Sequence, residues 1–88
     1  MDNFDKYKTP IQDCLGRELG KGDICYHVAN FASSIHVTEV IIIDRTAKML
    51  VTVRLDAYKQ GKTYGSKGTG SRLILKEKAQ ENQNESNE

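Results

Sequence analysis

The fifteen residues from Tyr58 to Arg72, YKQGKTYGSKGTGSR, combine four cations, two tyrosines and four glycines with no acid. Spaced cations neutralise successive phosphates, exposed aromatic rings offer stacking faces to bases, and glycines let a backbone approach a ligand closely. The segment therefore predicts a nucleic-acid contact made by Tyr58, Lys59, Lys62, Tyr64, Lys67 and Arg72. Gly65, Ser66, Gly68, Thr69 and Gly70 add backbone and hydroxyl donors for phosphate oxygens. Lys48 and Arg54, with Lys76 and Lys78, extend the basic surface, Arg54 from the outward face of its strand. The plainer alternative is a solvated hairpin loop whose lysines only carry charge. No basic recognition helix is evident, so single-stranded nucleic acid, RNA foremost, is favoured over duplex DNA.

Other chemistry is poorly supported. Gly65 and Gly70 have the spacing of a phosphate-binding G-x-x-x-x-G-K-[ST] loop, but Ser71-Arg72 stands where the lysine belongs. A strand follows instead of the helix whose N-terminus would face the phosphates. His27, His36, Cys14 and Cys25 could supply four zinc ligands, yet they contain no C-x-x-C pair, and partly buried core positions explain them as well. A Cys25–His27 or Cys25–His36 nucleophile pair lacks a third orienting group. Asp13, Asp23 and Asp44 all read as turn residues rather than paired catalytic carboxylates. The sequence thus predicts no catalytic residues, no metal site and no cofactor, and a protein that is not an enzyme.

Two apolar runs must position the basic segment. Ile35–Ile43, IHVTEVIII, and Met49–Leu55, MLVTVRL, are rich in Val, Ile and Thr and are joined by the polar link Asp44–Lys48. They predict a long antiparallel hairpin. In the second run Met49, Val51, Val53 and Leu55 share one face, opposite Leu50, Thr52 and Arg54 on a wetter one. The first run is apolar on both faces from Val40 to Ile43, which implies burial on two sides or a bulge that shifts the phase. Gly20-Lys21-Gly22-Asp23 is turn chemistry that introduces a third strand over Ile24–Val28, and Arg72–Lys76 predicts a fourth. Ile11–Leu19 is an extended entry strand or a helical turn, its glycines favouring the strand. Phe31, in the link VANFASSI, is a core anchor or a contact residue.

The segment Asp13–Tyr26 has the form D-x-L-G-R-x-L-x-x-G-D-x-x-Y, which resembles the opening of the KOW/SH3-like small barrels of tailed phages. In that comparison Gly22 and Asp23 match the turn into the first barrel strand, and Ile24, Tyr26 and Val28 match its barrel-facing positions. The next strand lacks the glycine that many KOW segments carry, with Thr38-Glu39-Val40 in its place. The resemblance covers about a dozen residues plus the strand rhythm through Leu75. It implies an all-β, small SH3-like barrel of four to five antiparallel strands. It also implies a phage-type accessory protein that meets RNA, DNA or a protein partner in the host cytoplasm, a fold that leaves function open.

Composition bounds these readings. Eighty-eight residues suffice for one small domain, expected over 1–78, with the polar stretch 79–88, AQENQNESNE, as a disordered tail. No apolar run approaches the roughly 20 residues that span a bilayer, and the start MDNFDKYKTP has no apolar leader core. A cytoplasmic protein with no membrane partner and two free thiols is expected. The net charge of +1 conceals an uneven distribution: residues 1–44 carry −3, residues 45–78 carry +7 and residues 79–88 carry −3. That basic block suggests RNA or single-stranded nucleic acid as the partner. The alternative is an inhibitor or adaptor that grips a host enzyme, a toxin or the transcription machinery through an exposed strand edge, with or without RNA. Neither the oligomeric state nor the target is legible.

Overall fold

The computed structural model describes residues 3–31 and 33–79, with the side chain of Phe31 outside that description. A short helix α1 (Asn3–Lys6) leads into a two-stranded pair, β1 (Ile11–Gln12) and β2 (Glu18–Leu19). Then follow β3 (Ile24–Phe31), β4 (Ser34–Arg45), β5 (Leu50–Arg54), the one-turn helix α2 (Leu55–Lys59) and β6 (Ser66–Gly68). A 3-10 turn at Gly70–Arg72 leads into β7 (Leu73–Glu77). The main sheet has the order β6-β5-β4-β3-β7 and is antiparallel throughout, as the sequence predicts. Among the described residues the outer strands β6 and β7 do not pair, so the ladder does not close into a complete barrel. The expected tail lies outside the described residues except for Ala79, whose N–H donates to Asp23 Oδ1 at 2.8 Å. No helix among the described residues is long and apolar enough to cross a membrane.

Both explanations for the two-sided apolar run apply. Val40, Ile41 and Ile42 are all buried, and the register against β5 slips between Ile42 and Asp44, leaving Ile43 as the extra residue of a bulge. The slip places Asp44 within β4, not in the turn expected for it, and turns Arg45 inward opposite Leu50. The core gathers Leu19, Cys25, Val40, Ile42, Leu50 and Leu73, with Phe4, Ile11 and Leu75 at its border. Ile41 and Val53, register partners, are buried on the other face. β5 is therefore buried through Leu50 and Val53, one from each expected face, and Leu55 leaves the strand to open α2. The phase of β3 also differs from the resemblance. Cys25 is the core residue, while Ile24, Tyr26 and Val28 are half-buried. The reason is that Cys25 pairs with Val40 and shares the face on which Leu19, Leu50 and Leu73 collect.

The motif that carries the resemblance is explained by two buried carboxylates. Asp13 Oδ1 accepts from the backbone N–H groups of Leu15 and Arg17 at 3.0 and 2.8 Å, and Oδ2 accepts from Arg17 Nε and the N–H of Leu75. Asp23 Oδ2 accepts from the N–H of Gly20 and from Lys78 Nζ. Each aspartate thus closes its own turn and ties it to the strand β7 or the residues just after it. With the N–H of Cys14 donating to the carbonyl of Leu73, this covers the outer edge of β7. An edge covered in this way is withheld from other chains.

The two thiols fare oppositely. Cys25 has no exposed surface, and burial, with Asp23 and Asp13 nearby, pushes its pKa up to about 12. Cys14 is exposed, and both are free. Because the thiolate is the reactive form, iodoacetamide should modify one thiol of the native protein rapidly and the other only after denaturation. Two equally fast thiols by mass spectrometry would contradict this packing.

Candidate nucleic-acid interface

The basic segment is not one loop. Asp56 Oδ1 accepts from the N–H of Ala57 in the first turn of α2, and Gln60, Gly61 and Lys62 donate back to the carbonyls of Ala57 and Tyr58 at its end. Gly61 has a φ of 101°, a left-handed conformation that ends the helix and returns the chain toward β5. The chain then pairs as β6, with Ser66 opposite Thr52 and Lys67 opposite Val51. A Cβ on Gly65 would collide with the Thr52 carbonyl, and one on Gly70 with that of Gln12. The absence of a Cβ at these two positions therefore permits close internal packing, and Gly65 also lines the groove described below.

The other wall comes from β3 and β4. The β4–β5 ladder ends at Val40 opposite Arg54, and the β3–β7 ladder ends at His27 opposite Leu73. Beyond those points the two strands pair only with each other, out to Phe31 and Ser34, among the described residues. The expected loop VANFASSI is thus mostly strand and forms an arm. The side chain of Phe31, expected as a core anchor or a contact residue, lies outside the described residues. His27, Thr38, Ala29 and His36 fall on one face of this arm, since register partners share a face and alternate residues repeat it.

Between arm and return segment lies an open groove of about 300 Å³. Arg54 and Lys62 supply its cations, His27, His36, Thr38, Thr52 and Ser66 its other polar groups, and among the described residues no acid lines it. Val40, Val53 and Ala29 contribute apolar floor. Lys62 Nζ lies 5.0 Å from the ring centre of Tyr64, and that tyrosine is 73% exposed. Lys67 adjoins the groove through a cavity of about 50 Å³ that shares His27, Thr52 and Ser66 with it. The arrangement offers cations for phosphates, hydroxyls and imidazoles for sugar or base edges, and one ring for stacking.

The remaining residues fall elsewhere. Tyr58 and Lys59 sit exposed on α2, and Lys59 lines a different cleft with Glu39 and Asp56. Arg72 lies in the 3-10 turn before Leu73, the partner of His27, and does not line the groove. Lys48 is in the β4–β5 link, separated from Arg54 by the length of β5, on the order of 17 Å at about 3.3 Å per residue. The +7 block is also partly committed to internal pairing. Arg45 is buried, Lys76 pairs with Glu39, Lys78 with Asp23, and Arg54 with Asp56 in an exposed pair. Sequence reasoning missed His27, His36 and Thr38 as groove residues. Their alternation along paired strands was the available signal, and it needed the hairpin register to be read. Cys14 and Cys25 do not join the two histidines: one thiol is exposed on the turn after Asp13 and the other is in the core. No family model, curated protein or solved structure matches this chain.

Proposed function

We propose that this protein is a non-enzymatic binding module for single-stranded nucleic acid, RNA foremost, of the accessory kind that the resemblance to small phage barrels implies. The observation that carries the reading is the groove beside β5, which holds Arg54 and Lys62, is lined by no acid among the described residues and has the exposed Tyr64 next to it. An open groove with cations along a backbone track and an aromatic platform suits an unpaired strand, whose bases are free to stack. The arm does not suit a duplex groove, because residues 28–38 contain no lysine or arginine to meet its phosphates.

The test is a salt titration of a labelled single-stranded RNA, with the Arg54→Ala/Lys62→Ala double variant and Lys48→Ala alongside. Two lost phosphate contacts should flatten the log–log salt slope by roughly 1.4, at about 0.7 per contact. Tyr64→Ala should weaken binding by about 1–3 kcal/mol per stacked base, with little change in slope. Lys48→Ala should behave as the parent. Failure of the parent to bind at low salt, or an unchanged slope in the double variant, would remove the reading.

A further inference from the structure

The arm that walls the groove has an open outer edge, and its chemistry specifies what can cover it. The N–H of Ile42 donates to the Asp23 carbonyl, and the carbonyl of Ile42 accepts from Gly22. Both backbone groups of Ile42 therefore point toward the β3 side. Backbone direction alternates along a strand, so Ile35, Val37 and Glu39 point their N–H and C=O groups away from β3. Ile41, next in that series, is met by Val53, but β5 turns into α2 after Arg54 and leaves the other three unmatched in the ladders of the described residues. The side chains at the same edge are apolar and uncovered, Ile35 at 70% and Val37 at 58% exposure.

Edges of this kind are ordinarily protected by charge, proline or a bulge. Here residues 28–38, VANFASSIHVT, contain no Asp, Glu, Lys or Arg and no proline, although 28% of the chain is charged. The β3–β4 register is regular along the arm. Beside the edge, between Val37–Glu39 and α2, is an open cleft of about 500 Å³, room for a strand at the usual spacing of about 4.8 Å.

We infer that the free edge of β4 pairs with the same edge of a second copy, antiparallel about a two-fold axis through His36. An alternating row of donors and acceptors is satisfied only by another extended backbone. Outward-facing residues must meet outward-facing residues, which restricts the pairing to registers centred on a residue. The one centred on His36 sets Ile35 of each copy opposite the partner copy's Val37. All four exposed apolar side chains then form one cross-strand cluster, a self-complementary patch of the kind a two-fold dimer requires. Neutral arms bring no like charges together. The main sheet becomes continuous across the axis, with ten strands. Because only one short edge per copy is joined, the interface belongs to the smallest size class and the dimer is reversible. This inference is independent of the nucleic-acid reading.

Sedimentation equilibrium of the nuclease-treated full chain, from about 1 μM to about 1 mM, tests it together with amide hydrogen exchange. The mass should rise from 9.9 kDa toward twice that value, and the amides of Ile35, Val37 and Glu39 should gain protection with concentration. Val37→Pro removes an outward N–H that the β3–β4 ladder does not use, and should weaken dimerisation at least 10-fold. Asn30→Pro makes the equivalent change on the opposite edge of the arm and should leave it unaltered. Should Val37→Pro disturb folding, Ile35→Lys/Val37→Lys provides the second test, since it opposes lysines across the axis and its effect should shrink with salt. A chain that stays monomeric throughout, a dimer indifferent to both edge variants, or one broken only by Asn30→Pro would overturn the inference.

Discussion

Replacing Asp13 by alanine is expected to remove about 3–5 kcal/mol of stability, a large share of the roughly 5–15 kcal/mol that holds a domain folded. Its carboxylate is the acceptor for three backbone N–H groups, those of Leu15, Arg17 and Leu75, and for Arg17 Nε. Each buried donor left without a partner costs about 1–3 kcal/mol. The Arg17 contribution is smaller, because that side chain is 44% exposed and screened. Thermal unfolding should therefore fall by roughly 15 °C or more, at about 4–8 °C per kcal/mol for a domain of this size. Asp13→Asn keeps one oxygen acceptor and should lose less. An alanine variant melting within a few degrees of the parent would show that the turn closes without this carboxylate.

The same residue sets a pH dependence. Burial alone would raise the Asp13 pKa, but the N–H groups of Leu75, Arg17 and Leu15 and the Arg17 guanidinium outweigh it and hold the pKa below the usual carboxylate range. A carboxyl that is more acidic in the folded state stabilises the fold above its unfolded pKa of about 3.9. That contribution is lost as pH falls from there through the lowered folded value, because the unfolded chain takes up the proton first. Urea titrations should show the parent losing stability on acidification below about pH 4, with a shallower loss in Asp13→Asn.

Arg45→Ala is expected to cost about 2–4 kcal/mol and to release α1 from the sheet. The guanidinium is nearly fully buried and donates to the carbonyls of Thr9, Thr46 and Ala47 at 2.8–3.0 Å. Its central carbon stands 5.9 Å from the ring centre of Phe4 and 5.7 Å from that of Tyr7. Alanine leaves three carbonyls without a donor and two rings facing a void. Asn3 is a second tie, donating to Asp44 Oδ1 and the Arg45 carbonyl, beside the packing of Phe4 on the core. The Tyr7 amide, bonded to the Asn3 carbonyl, should then exchange with solvent much faster, ahead of the β3–β4 amides. Arg45→Lys should recover only part of the loss, because one ammonium on a flexible stem cannot reach three carbonyls in fixed directions. Unchanged exchange at Tyr7 would mean that the N-terminal helix is held by something else.

The strands were legible because their signals are local. The branched residues of IHVTEVIII and MLVTVRL, the turn chemistry around Gly22 and the two-faced apolar run at Val40–Ile43 each carry their own evidence. Their pattern gave β3, β4, β5 and β7 and the bulge. It gave neither α2, a single turn after a strand-like run, nor the short β6. The core face of β3, which the resemblance set at Ile24, Tyr26 and Val28, was not fixed by the pattern, because alternation fixes which residues share a side but leaves open which side is covered.

By itself, then, the sequence determined an antiparallel all-β protein and marked Tyr58–Arg72 as its basic segment. Tertiary structure alone decided which cations are available. Arg45, Lys76 and Lys78 lie within the +7 block yet bind carbonyls or carboxylates brought to them from distant positions, such as Thr9, Glu39 and Asp23. Lys62, and Arg54 with its exposed pairing to the nearby Asp56, meet His27 and His36 in one groove because the β3–β4 register and the reversal at Gly61 bring them there. Charge counted along a chain takes no account of distance in space, and electrostatic interaction depends on that distance and on the burial of the groups concerned.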